Sequence, residues 1–144
     1  MTSAPSIRLI AIDIDGTLLN PQNELTPRVE RAIRGALAKN IQIVLATGKS
    51  RSAALPFIEK LGIPSAGIFL QGLALSDAQG KILHQQTLDA ALLLRVLTIL
   101  EDRGFQAILY SGTRILVRRR SPETDAVTIP FHEPAPEAVG PLQN

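Results

Sequence analysis

Two carboxylates one residue apart, Asp13 and Asp15, close the apolar run Ile7-Arg8-Leu9-Ile10-Ala11-Ile12 and are followed by Gly16 and Thr17. Residues two apart on a strand point the same way, so both carboxylates can face one small volume. Oxygens so placed can hold a cation, or one group can attack an electrophile while the other moves a proton. Spacing narrows the choice. A calcium loop wants acidic positions one, three and five with glycine at six, whereas here glycine comes at the fourth position and Thr17 at the fifth. A second stretch, Thr47-Gly48-Lys49-Ser50, ends another apolar run. A Walker loop would need a glycine five residues before Gly48, and that residue is Ile43.

The elements that must position these groups follow from periodicity. The isoleucine-rich first run predicts a strand over 7–14, buried on both faces. Asp13 and Asp15 then lie at or beyond its C-terminal end, where open parallel sheets hold ligands. Asn20-Pro21-Gln22-Asn23 is turn chemistry. Thr26 before Pro27 reads as a cap with proline at the first helical position. Val29, Ile33, Ala36 and Leu37 recur at helical spacing, which predicts a helix over 27–39 stopped by Asn40. Ile41 to Ala46 is a second short strand, and strand, helix, strand makes a right-handed crossover with parallel strands. A second helix is expected over 52–61, where Pro56 fits only in the first turn. A third strand covers 67–70. Leu73 to Leu75 and Lys81 to His84 form a hairpin around Asp77-Ala78-Gln79-Gly80.

After Thr87 a leucine-rich helix over 88–103 precedes a hairpin of 105–110 and 113–118 around Ser111-Gly112. The proline-bearing 121–144 reads as irregular, with a short strand near 127–129. Leu92, Leu93, Leu94 and Leu97 read as core or interface. Arg118 to Arg120 reads as the solvated end of a strand, the alternative being an anion-facing patch. His84 and His132 lack ligand spacing.

Composition sets the outer bounds. The 144 residues are 45% hydrophobic and 19% charged with net charge +2, the profile of one modest globular chain. With no cysteine, disulfides and thiolate metal sites are excluded. No stretch has the core of a signal peptide or the roughly 18 apolar residues of a membrane span. A cytoplasmic enzyme with no membrane partner is the expectation. The few aromatics are not interleaved with basic residues, so no nucleic-acid partner is expected.

Asp13-Ile14-Asp15-Gly16-Thr17 after the first strand, with Thr47-Gly48 after the next parallel strand, resembles the haloacid dehalogenase-like hydrolase superfamily. The later hairpin and helix resemble the sugar-phosphatase branch, whose cap is inserted after the third strand. The resemblance implies an α/β fold, a three-layer doubly wound parallel sheet (Rossmann-like and here incomplete) with the start of an α+β cap. The expected parts are core over 1–86, partial cap over 87–120 and irregular tail over 121–144. It implies Asp13 as nucleophile, Asp15 as general acid and base, and Thr47, Gly48, Lys49 and Gly16 around a small phosphorylated substrate. It also implies Mg2+ held by the Asp13 side chain and the Asp15 backbone carbonyl.

Lys49 stands where that branch has arginine, and Gln71-Gly72 where it has asparagine-glycine, which alters substrate contacts there. The family's later lysine and acidic pair do not occur after Arg120. The expectation is an N-terminal portion of a phosphatase, weak or inactive by itself. The rival is a non-catalytic phosphate- or metabolite-binding remnant or interaction module. A receiver domain fits worse, because no later strand ends in an acceptor aspartate. Lacking neighbours on one side, the first strand is expected to pair with a second copy or a partner segment.

Overall fold

The computed structural model describes residues 7–143. The chain divides into two units, Met1–Lys49 with Ala54–Gln85, and Ser50–Ala53 with Gln86–Asn144.

The first unit is an α/β sheet in the order β1-β2-β3-β4-β5. β1 (Leu9–Ile12), β2 (Gln42–Ala46) and β3 (Gly67–Phe69) run parallel, whereas β4 (Ala74–Ser76) and β5 (Ile82–Gln85) add an antiparallel hairpin. The sheet is therefore mixed, with its parallel half where the candidate residues lie. Helix α1 (Pro27–Leu37) makes the β1-to-β2 crossover and α2 (Arg51–Leu61) the β2-to-β3 crossover. Thr26 caps α1 by accepting the Val29 N–H, and Glu30 pairs with Arg34 one turn on. Asn40 ends that helix in a left-handed conformation (φ 58°), returning the Ile41 N–H to the Ala36 carbonyl.

Ile43, Leu45 and Phe69 on one sheet face pack with Ile33 of α1 and with Phe57, Ile58 and Leu61 of α2. Two crossovers of one hand, stepping in one direction along the sheet, deliver both helices to that face. The opposite face carries Leu9 (49% exposed) and Ile68 (38%). β1 was expected to be buried on both faces. The bare edge expected for it is present, since among the described residues no strand pairs with its outer side, but its residues alternate half-buried and exposed because both crossover helices pack on one face and leave the other open. An apolar run records a preference for burial, and only partners can satisfy it. Pro56 was expected in the first turn of α2 but is its sixth residue. It cannot donate to Ser52, a loss of about 3 kcal/mol in a helix interior, which burial of the apolar stripe that follows offsets.

In the second unit Asp89 caps α3 (Ala90–Asp102) through the Ala91 and Leu92 N–H groups. β6 (Ile108–Ser111) and β7 (Arg114–Val117) form the expected hairpin. Leu97 is core, whereas Leu92 and Leu94 are exposed. The tail departs from the irregular reading. Ser121 and Thr124 form a capping box on α4 (Pro122–Ala126), and the short strand lies at β8 (Glu137–Ala138), parallel to β7, and not near 127–129. A five-residue helix is too short to show a period, so its cap carries the signal. Arg114 pairs with Glu137 at 2.6 Å and Arg120 with Asp125 at 2.8 Å. The Glu133 carboxylate accepts both the Ser50 N–H and the Ser50 hydroxyl, at 2.9 and 2.6 Å. Among the described residues no helix is long and apolar enough to cross a membrane.

Two stability measurements check this packing. Leu45→Ala on the covered face is expected to lower unfolding free energy in urea by about 2–5 kcal/mol. Leu9→Ala on the open face is expected to cost about 1 kcal/mol or less. The Glu101 carboxyl is held below its ordinary value first by the Leu142 N–H, then by the Gln143 amide and Arg118. A carboxyl depressed by folding stabilises the native state above its unfolded pKa, and that contribution fades as pH falls through the folded one. Glu101→Gln is thus expected to flatten the acid limb of the melting-temperature profile.

Candidate functional site

The site grows from two adjacent parallel strand ends. Ile12 of β1 pairs with Leu45 of β2, so Asp13 and Thr47 leave the sheet at the same end. After Ile12 the chain makes a single π-type turn, with the Leu18 N–H bonded to the Asp13 carbonyl at 3.1 Å and the Leu19 N–H to the Ile14 carbonyl at 2.9 Å. Ile14, Leu18 and Leu19 are buried, which anchors the turn in the core. Asp13 and Asp15 flank Ile14 and are exposed. Burying Ile14 therefore turns both carboxylates outward. Gly16 sits at φ 71°, where a side chain is strained. The Asp13 carboxylate accepts its neighbour's N–H, from Ile14 at 2.7 Å, which fixes its rotamer.

Thr47 is buried, and its N–H bonds the Ile68 carbonyl at 2.9 Å. Its hydroxyl oxygen accepts the Lys49 N–H at 3.2 Å, a tight side-chain turn that redirects the chain into α2. The Lys49 side chain is 4% exposed, and its Nζ lies 3.2 Å from Asp15 Oδ1. A buried ammonium needs an opposite charge, and the exposed Asp15 supplies it. The structure thus brings Asp15, Lys49 and Thr47 into one connected group. Asp13 and Gly16 lie on the adjoining turn, and Gly48 lies exposed between Thr47 and Lys49.

Gln71, marked by the sequence only for altered substrate contacts, covers Gly48 with its carboxamide. A β-carbon at position 48 would collide with the Gln71 amide nitrogen and come within 2.9 Å of its Cδ.

Among the described residues no three or more Asp, Glu or His side chains gather as a cation cage. Asp13 and Asp15 offer part of a coordination shell in oxygen only. That suits magnesium, which takes one or two carboxylates and keeps several waters.

The family model described as haloacid dehalogenase-like hydrolase matches residues 10–137. The Bacillus subtilis protein named Phosphatase YwpJ is 31% identical over 133 residues, 92% of this chain and 47% of that protein. The Arabidopsis thaliana protein named Endoribonuclease YBEY, chloroplastic is 28% identical over 94% of this chain but only 25% of its own length. A solved haloacid dehalogenase-like hydrolase from B. subtilis superposes with a TM-score of 0.81 at 24% identity, covering 95% of this chain and 55% of that one. The chain spans about half the length of YwpJ and of that solved structure.

Gly16→Ala is expected to cost about 1–2 kcal/mol, because alanine must enter the left-handed region there. Urea denaturation checks it, and a loss no larger than that of Ala11→Gly, on the exposed side of β1, would count against a rigid turn.

Proposed function

Because the chain belongs to the haloacid dehalogenase-like hydrolases, we propose that it serves a phosphatase of small phosphorylated metabolites, such as sugar phosphates, through a phospho-aspartate at Asp13. The observation that carries this reading is the Lys49–Asp15 pair beside Asp13 and Thr47, at the ends of two parallel strands. The phosphatase relative supports the reaction class.

In this reading a carboxylate oxygen of Asp13 attacks phosphorus as the bond to the leaving oxygen breaks. Asp15, a carboxylate paired with Lys49 in the free site, takes up a solvent proton once the phosphate is bound and gives it to that oxygen. Water then attacks the acyl phosphate, Asp15 takes the water's proton, and inorganic phosphate leaves with Asp13 restored. As a carboxylate nucleophile, Asp13 needs orientation more than activation. Its bond from the Ile14 N–H provides that orientation. The Thr47 hydroxyl and the Lys49 ammonium are assigned to the phosphoryl oxygens.

Charge decides what else is needed. Asp13 and Asp15 against Lys49 leave one net negative charge facing a phosphate dianion. Two unit charges 4 Å apart oppose each other by about 4 kcal/mol at an effective dielectric of 20. Magnesium held by the Asp13 carboxylate and the Asp15 carbonyl would supply the missing positive charge. The family's later lysine, and the acidic pair that would complete that magnesium site, do not occur after Arg120; losing about 4 kcal/mol of transition-state stabilisation is roughly a thousandfold in rate, so the 144-residue chain alone is assigned weak activity or none.

Phosphate release from p-nitrophenyl phosphate tests the assignment in the complete protein. Asp13→Asn and chelation of magnesium are each expected to lower kcat by about a thousandfold or more. Full activity in Asp13→Asn would remove the phospho-aspartate reading.

The cytoplasm is the proposed compartment, supported by a cysteine-free sequence. The free edge of β1, with Ile7 and Leu9 exposed, is proposed to pair with a second copy in the isolated chain. Leu9→Lys is expected to reduce its self-association in sedimentation, and a monomeric parent chain at micromolar concentration would refute the pairing.

A further inference from the structure

Three successive residues after β3 are left-handed: Leu70 at φ 52°, Gln71 at φ 57° and Gly72 at φ 92°. The Leu73 N–H closes onto the Leu70 carbonyl at 3.0 Å, so the segment is one left-handed helical turn. Left-handed turns are disfavoured for L-residues, and a β-carbon at Leu70 and Gln71 meets the cost directly. The other non-glycine residues with positive φ are Asn23, Asn40 and His132, types that tolerate that region. Such strain persists only where surrounding contacts over-determine it.

Leu70 packs against the hydrophobic core, and the turn's remaining contacts lead to one place. The Leu70 N–H donates to the Lys49 carbonyl at 2.9 Å. The Gln71 carboxamide fills the space above Gly48, the residue between Thr47 and Lys49. One residue before the turn's anchor in β3, the Ile68 carbonyl accepts the Thr47 N–H. The left-handed turn therefore grips the 47–49 segment by both backbone and side chain, and the far end of that segment is the ammonium on Asp15.

We infer that Gln71 is a positioning residue of this site: its left-handed turn and its carboxamide over Gly48 hold Lys49 against Asp15. The inference rests on the phosphatase reading for its effect on rate, but not for its structural claim. Gln71 touches none of the reacting atoms in this account. It acts through Gly48 and Lys49. A β-carbon at position 48 would have to displace that carboxamide from its place over the segment.

The claim predicts opposite signs for stability and rate. Gln71→Gly removes the strain, so it is expected to raise the folded-to-unfolded ratio about fivefold. It also frees the 47–49 segment, so kcat for p-nitrophenyl phosphate in the complete protein is expected to fall about tenfold or more, with KM within about threefold. Gln71→Asn, which keeps a carboxamide, is expected to restore kcat to within about threefold of the parent. A double-mutant cycle in urea reads the packing without any turnover. Gly48→Ala is expected to be destabilising in the parent and close to neutral in Gln71→Gly, because the colliding carboxamide is gone. Equal losses from Gly48→Ala in both backgrounds would overturn the inference, as would a kcat for Gln71→Gly within about twofold of the parent. A parent protein that releases no phosphate removes the phosphatase reading alone, and the cycle then decides the positioning claim.

Discussion

A buried ammonium is the constraint on which the first unit depends. Lys49 is almost fully enclosed, and a charge so placed must have a partner or be expelled. Asp15 answers it from the π-type turn that follows β1. The ion pair thus joins two chain segments that share no backbone hydrogen bond beyond the strand ladder. For Asp15 to reach Lys49, Ile14 must be buried, Gly16 must be left-handed, and β1 must run parallel to β2 in the observed register. The core beneath the turn is therefore part of the electrostatics above it.

The unit treats its two sheet faces unequally, and the site sits where that matters least. The helices seal Ile43, Leu45 and Phe69, which gives the strand ends a rigid base. On the other face Leu9 and Ile68 meet solvent. The strand ends on the sealed side carry Thr47 and Lys49 inward, while Asp13 and Gly48 stay accessible. A phosphoryl group needs both conditions, a fixed cation and an approachable carboxylate.

The left-handed turn at Leu70 to Gly72 belongs to the same economy. Backbone strain is tolerated beside a site when it fixes a group that thermal motion would otherwise release. Here the fixed group is a lysine, whose long side chain has many rotamers to lose. A second unit with its own capped helix and arginine-carboxylate pairs shows the more ordinary pattern. There charge is spent on exposed pairs, which contribute little each.

Much of this molecule is legible in its residues taken alone. Asp13, Asp15, Gly16 and Thr47 lie at strand ends because apolar runs of strand length stop there. The cap at Thr26 and the stop at Asn40 follow from local hydrogen bonding. Such features are decided within a few residues, so a sequence records them. The bare edge of β1 was also legible, but the Lys49–Asp15 pair, the carboxamide over Gly48, the place of Pro56 and the open face of β1 were decided only in three dimensions. Each depends on which distant segment arrives opposite: residue 15 against 49, 71 against 48, a packed stripe after a missing donor, or a covering helix. Burial and pairing are properties of two surfaces, and a sequence read along its length describes one surface at a time.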